Sequence, residues 1–197
     1  LITALKQICN SSSQYLKKPS ERPDSGKAMM LLELLNRAMS AQRKVLIFTQ
    51  YREMGETLQV WLKDLLGIEV PFLHGGVPIK KRAQMVDAFQ TDASVKVLIV
   101  SLKAGGTGLN LTAASVVIHY DLWWNPAVEN QATDRAYRIG QTQDVLVYRL
   151  ITAGTFEEKI NQMLEEKKDL ADLTVAVGES WIGEMKTEEL KALFTLS

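Results

Sequence analysis

Short apolar runs alternate with amphipathic segments over most of the chain. Runs rich in Val, Ile and Leu predict buried strands at residues 45–49, 70–73, 95–100, 116–120 and 145–150. Apolar positions at helical spacing predict helices at residues 27–40, 52–66, 79–90, 126–138 and 156–173. Buried strands that alternate with helices form a parallel sheet covered on both faces. The pattern therefore predicts an open, doubly wound α/β domain, which binds its ligands beyond the carboxyl ends of the strands.

Three regions are expected along the chain. Residues 1–26 begin with a short apolar-periodic segment and continue into a stretch of Ser, Lys and Pro that predicts an exposed linker. Residues 27–153 carry the alternating strands and helices, and residues 154–197 form a helical extension. The chain starts without Met, in a pattern typical of the end of a helix, so we expect it to be a part of a longer protein.

Composition and charge exclude several classes of protein. The hydrophobic fraction is 46%, and 23 basic side chains balance 23 acidic ones. A neutral chain has no global field that draws it to nucleic acid, so any such site must be a local patch. No apolar run of about eighteen residues is present to span a bilayer. The single cysteine, Cys9, excludes an internal disulfide and favours a reducing intracellular compartment.

Two arginines stand at helical spacing before Gly140. Asn125 is a good N-cap and the proline after it suits the first helical position, so a helix is predicted from there to near Gly140. On one helix, Gln131, Arg135 and Arg138 would share a single polar edge. Paired guanidinium groups suit the charge that builds on a transferred phosphoryl group. The alternative is a solvated basic stripe.

Polar clusters also follow the first four predicted strands. They are Thr49 with Gln50, His74 with two glycines, residues 101–110 and residues 121–125. The glycines of the third cluster suit a loop that brings backbone amides close to a phosphate, although they do not match the dinucleotide-binding fingerprint. As alternatives, the His74 turn is an ordinary tight turn, and the tryptophans at 123 and 124 serve only packing.

Taken together, these clusters resemble the second RecA-like lobe of superfamily-two helicases, and specifically that of Swi/Snf-type DNA-dependent ATPases. Residues 44–51 are similar to motif IV, residues 101–111 to motif V, and residues 131–141 to motif VI. Residues 121–126 match the Asp-x-x-Trp-Asn-Pro signature. The resemblance covers nearly the whole chain and implies a RecA-like open parallel sheet. The tail is similar to endings in prokaryotic members, which favours a bacterial or archaeal source.

The resemblance implies a role for each matching residue. Arg135 and Arg138 would be arginine fingers that reach the ATP phosphates across an interlobe cleft. The positions next to the nucleotide would be Gln131, Gly106, Gly108 and Asn110. The positions that contact DNA would be Thr49, Gln50, His74, Gly75, Ser101, Lys103, Ala104 and Trp124.

The resemblance also implies a function, namely the C-terminal motor lobe of an ATP-dependent double-stranded DNA translocase. Its partners would be duplex DNA and an N-terminal RecA-like lobe of the same protein, in a monomer located in the cytoplasm of a prokaryote or the nucleus of a eukaryote. The sequence lacks both the Gly-x-x-x-x-Gly-Lys-Ser/Thr loop and an Asp-Glu pair for Mg²⁺. We therefore expect the N-terminal lobe to hold most of ATP and Mg²⁺, and the isolated lobe to be inactive. The alternatives are a strand-separating helicase and a non-catalytic DNA- or protein-binding module.

Overall fold

The computed structural model describes residues 2–18, 22–101, 109–138, 140–141 and 143–168. Within these residues, five strands form one sheet in the order β2-β3-β1-β4-β5, and all neighbouring strands are parallel. The strands are β1 (Lys44–Thr49), β2 (Phe72–Leu73), β3 (Val97–Ser101), β4 (Ala114–His119) and β5 (Leu146–Arg149). This arrangement confirms the predicted open parallel sheet.

Seven helices accompany the strands in the described part of the chain. They are α1 (Ile2–Asn10), α2 (Ser12–Leu16), α3 (Gly26–Ser40), α4 (Arg52–Leu66), α5 (Ile79–Thr91), α6 (Pro126–Thr133) and α7 (Phe156–Lys168). Helix α4 has the predicted bounds because Gly67, with φ of 65°, adopts the left-handed conformation that ends a helix. None of the helices among the described residues is both long and apolar enough to cross a membrane.

The two faces of the sheet carry two separate cores. Successive side chains of a strand point to opposite faces, so Val45 and Ile47 pack with α3 and α4 on one face. Leu46 and Phe48 pack on the other face with Phe89 of α5 and with α6. All four β1 side chains are fully buried, which explains why the strand is a continuous apolar run instead of an alternating one.

The prediction of a helix from Asn125 to near Gly140 was right at its start and wrong at its end. The Asn125 side chain caps α6, but the helix ends at Thr133. Beyond it, the backbone bonds alternate between three and four positions back, and the Arg135 carbonyl accepts from the Leu111 amide at 2.9 Å, outside the helix. Arg135 and Arg138 therefore lie after α6 and do not share one helix edge with Gln131.

The linker predicted within residues 1–26 is partly structured. Helix α2 lies inside it, and Ser13 and Gln14 of this helix are buried. The Asp24 carboxylate accepts from Ser12 Oγ at 2.6 Å and from the Ser13 amide at 3.0 Å. The prediction of an exposed linker was wrong for α2, because polar side chains that suggested solvent exposure bond one another.

Candidate nucleotide and nucleic-acid surfaces

Asp121 connects the loops that follow β1 and β4. Its side chain is buried, and its carboxylate accepts from Thr49 Oγ1, from the Gln50 amide at 2.8 Å and from Asn10 Nδ2 at 3.4 Å. Burial raises the pKa of Asp121, while the bonds from Thr49 and Gln50 and the charge of Lys27 oppose the rise. Gln50 adds a second link, because its Nε2 donates to the Leu122 carbonyl. One carboxylate thus sets the relative position of two candidate DNA-contacting loops.

Two residues predicted to contact DNA are buried at this edge of the sheet. Thr49 is 0% exposed, and Ser101, which pairs with it in the register of β1 and β3, is 5% exposed. Enclosed side chains have no surface to offer to a DNA backbone, so the structure corrects the prediction for both. Gln50 remains half-buried and His74 is also half-buried, whereas Gly75 is exposed. These three stay candidates for DNA contact.

Trp124 is a core residue, and its predicted contact with a DNA groove does not fit the structure. It is 1% exposed, with Lys6 Nζ 3.9 Å from its ring centroid and Phe156 edge-on at 5.5 Å. Its φ of 56° lies in the left-handed region, which bulky residues rarely adopt and which only surrounding packing maintains. Trp123 is half-buried.

A buried ion pair holds the N-terminal helices against α7. Lys27 Nζ lies 2.8 Å from Glu157 Oε1, with side-chain exposures of 2% and 1%. Lys27 also donates to Asn10 Oδ1 at 3.3 Å, and Glu157 accepts from the Thr152 amide at 3.0 Å. Sequence reasoning missed this pair because the two residues are 130 positions apart and neither belongs to a recognisable motif.

The segment that carries Arg135 and Arg138 is anchored to the start of β4. Gln141 Nε2 lies within hydrogen-bond distance of the carbonyls of Thr112 at 3.0 Å, Ala114 at 2.8 Å and Ala136 at 3.3 Å. Asp121, in contrast, follows the carboxyl end of the same strand. The arginine segment and the polar cluster at Asp121 therefore lie at opposite ends of β4, and the chain has two distinct candidate surfaces. Sequence reasoning gave Gln141 no role.

A buried arginine and an exposed one interact near the start of β4. Arg135 is 6% exposed, and its pKa is lowered first by burial and then by the charge of Arg138. Arg138 is exposed, and an arginine keeps its proton at physiological pH. A bound anion would relieve the repulsion between the two cations, as in a phosphate-binding site.

Two residues predicted to contact the nucleotide, Asn110 and Gln131, are exposed in the structure. Asn110 is exposed and directly precedes Leu111, whose amide bonds the Arg135 carbonyl. Gln131 is exposed on α6, two positions before the helix ends. The structure thus brings Asn110 and Arg135 together. The predicted positions Lys103, Ala104, Gly106 and Gly108 lie outside the described residues.

His119 is a buried, neutral histidine at the carboxyl end of β4. It is 1% exposed, stacks on Phe48 at 5.4 Å between ring centroids, and places Nε2 3.1 Å from Thr133 Oγ1. Burial, and to a lesser extent the charge of Arg149, lowers its pKa to about 4. Among the described residues no group of three or more His, Cys, Asp or Glu side chains is placed to hold a metal ion.

Comparison with known proteins decides the family. Residues 26–140 match the family model described as the helicase conserved C-terminal domain. The chain belongs to this family. Within it, the chain resembles the Sulfolobus solfataricus SWI2/SNF2 ATPase C-terminal domain, with 40% identity and a TM-score of 0.82 over 100% of this chain and 80% of that one. The RecA-like fold and the relationship to Swi/Snf-type ATPases are thereby confirmed.

Two further relatives of this helicase domain are informative. The Sulfolobus solfataricus SWI2/SNF2 ATPase core in complex with dsDNA is 43% identical, with a TM-score of 0.87 over 100% of this chain and 41% of that one. The putative ATP-dependent helicase/translocase YwqA of Bacillus subtilis is 50% identical over 200 residues, which cover 100% of this chain. The chain spans only 22% of the length of that relative.

Proposed function

We propose that this helicase domain is the C-terminal motor lobe of an ATP-dependent double-stranded DNA translocase. The anchored segment of Arg135 and Arg138 carries the proposal, because Gln141 fixes one buried and one exposed cation near the start of β4, away from the candidate DNA-contacting loops. A module that only bound DNA would have no need of this second surface. The likeness to a SWI2/SNF2 ATPase core solved with dsDNA supports the same function.

The two surfaces lie at the two ends of β4 and have separate roles. At its start, Arg135 and Arg138 bind the phosphates of the substrate ATP and stabilise the charge of the transition state. At its carboxyl end, the loops joined by Asp121 hold the backbone of the duplex, together with His74 and Gly75. Backbone contacts carry little sequence information, so binding tolerates any sequence and weakens with salt. Because both surfaces belong to one sheet, closure on the nucleotide moves the grip on DNA.

An N-terminal RecA-like lobe of the same protein is the proposed partner that completes the site. Mg²⁺ supplies neutralisation of the charge on the transferred phosphoryl group when it is bound with ATP. The described residues contain no cluster of carboxylates for it. We therefore assign its ligands to the partner lobe and expect the isolated chain to lack ATPase activity.

The test is ATP turnover by the full-length protein, with and without duplex DNA. We expect DNA to stimulate the wild type, and Arg138→Ala to lose about a thousandfold in kcat while it still binds ATP. Arg37→Ala is the matched control, since Arg37 is also exposed but lies on α3 in a surface pair with Glu33. An Arg138→Ala protein as active as the control would favour a passive binding domain. A strand-displacement assay separates translocation from strand separation.

A further inference from the structure

A side chain of α5 fixes the conformation of the turn that follows β2. Arg82 donates from Nε to the Val77 carbonyl and from Nη2 to the Gly75 carbonyl, both at 2.6 Å. The Val77 amide closes the turn by donating to the His74 carbonyl at 3.0 Å. Because the guanidinium group is a rigid planar fork, it fixes the separation of the two carbonyls that it bonds.

The same turn fixes the tautomer of His74. The imidazole packs against Phe72 at 4.8 Å between ring centroids, and its Nδ1 lies 3.1 Å from the Gly76 amide nitrogen. An amide can only donate, so Nδ1 is the bare nitrogen and Nε2 carries the proton. A β-carbon at position 76 would lie 3.1 Å from His74 Cε1 and 3.2 Å from Nδ1. The absence of a side chain at Gly76 therefore permits the contact.

The charges around the ring favour its neutral form. Burial comes first and Arg52 second in lowering the pKa of His74, and Arg82 acts in the same direction. Glu56, which pairs with Arg52 at 2.8 Å, opposes them. A neutral ring with its proton on Nε2 is a hydrogen-bond donor in a positively charged setting, which suits a phosphate oxygen.

We propose that Arg82 is a positioning residue that shapes this turn, and that Gly76 sets the tautomer in which His74, already implied by the resemblance to contact DNA, donates its Nε2–H to a backbone phosphate of the duplex. The inference rests on the proposed function and deepens it, because it says how this turn recognises DNA. It assigns Arg82 an indirect role, through geometry instead of charge. The role predicts that a lysine at this position, with the same charge but without the fork, is a poor substitute.

Imidazole ¹⁵N NMR tests the tautomer directly. The chain has only two histidines, so the spectrum contains two rings, and the buried His119 reports on the integrity of the fold. At neutral pH we expect His74 to carry its proton on Nε2, and short duplex DNA to shift the Nε2 signal more than the Nδ1 signal. Inorganic phosphate is the comparison for an adventitious ion. A proton on Nδ1, or an equal response to inorganic phosphate, overturns the proposal.

Variants of the turn test the positioning role. We expect Arg82→Lys to raise the duplex concentration for half-maximal ATPase stimulation of the full-length protein by about five- to tenfold and to leave the maximal rate unchanged. Gly76→Ala should displace the ring and lose the Nε2–H tautomer, whereas Gly75→Ala, with nothing within 4 Å of its new β-carbon, should keep it. Arg37→Lys is the charge-conserving control on α3.

The outcomes separate this inference from the proposed function. If duplex DNA neither binds nor stimulates the wild type, the proposed function fails and the inference fails with it. A second outcome is that DNA stimulates the wild type and that Arg82→Lys needs the same duplex concentration for half-maximal stimulation. If the His119 signals of the variant are also unchanged, only the inference fails.

Discussion

The backbone amide of Gln50 donates to Asp121 Oδ1 at 2.8 Å, across 71 positions of the sequence. The other oxygen of the same carboxylate accepts from the Thr49 hydroxyl. Residues that resemble two separate helicase motifs are therefore parts of one hydrogen-bonded unit. Its buried members shape the surface, and the exposed residues around it are the ones available to DNA.

Replacing Asp121 with alanine is expected to destabilise the domain by about 3 kcal/mol. The change leaves the Thr49 hydroxyl and the Gln50 amide without their acceptor, and each buried unsatisfied donor costs about 1–3 kcal/mol. Urea denaturation measures the loss. Asp144→Ala, at an exposed position, is the control and should stay within about 0.5 kcal/mol of the wild type. Equal stability of the two variants would show that the Asp121 network contributes nothing.

Stability should fall as the pH drops below neutrality because of His119. Its pKa is about 4 in the folded protein and about 6.5 when unfolded, so between these values the unfolded chain binds more protons. The stabilisation is fully present above pH 6.5 and is lost as the pH falls through 4. For this group alone, the free energy of unfolding should be about 2 kcal/mol lower at pH 5 than at pH 7.

Urea denaturation of His119→Gln at these two pH values checks the assignment. The variant should lose most of the pH dependence, while His74→Gln, at a half-buried turn, should retain it. If the stability of His119→Gln has the same pH dependence as that of the wild type, the titrating group is another residue.

Trp124→Phe should lower the free energy of unfolding without weakening DNA binding. The indole is enclosed by Lys6 and Phe156, so a smaller ring leaves a cavity and we expect a loss of about 2 kcal/mol. The duplex concentration for half-maximal ATPase stimulation should be unchanged in the full-length protein below its unfolding temperature. A several-fold rise in that concentration in folded protein would restore the predicted contact with a DNA groove.

Gln141→Ala is expected to lower kcat for ATP by at least about tenfold, because catalysis depends on positioning to within about an ångström. The side chain anchors the segment of Arg135 and Arg138 to the start of β4. The KM for ATP should change less than kcat if the other lobe supplies most of the binding. Gln143→Ala is the control, since that side chain is exposed on the same segment. Equal kcat values would mean that the segment holds its shape without Gln141.

The sequence predicted the features that depend on local patterns. The strands appear as apolar runs because both faces of a parallel sheet are covered, and Asn125 caps α6 as expected from its residue type. It did not reveal where α6 ends. Just beyond that end, the Leu111 amide bonds the Arg135 carbonyl, and this contact joins residues from two motifs that the sequence places 24 positions apart.

By itself, the sequence determined the order of strands and helices, the family resemblance and the residue types that suit phosphate chemistry. The tertiary structure decided which of those residues are accessible. The residue types that the motifs require are present at Thr49, Ser101 and Trp124. Their side chains are nevertheless buried by neighbours that lie far away along the chain. Burial is a property of the packed layers and not of a motif, so only the fold could show that these side chains are enclosed while Asn110 and Arg138 are exposed and His74 is half-buried.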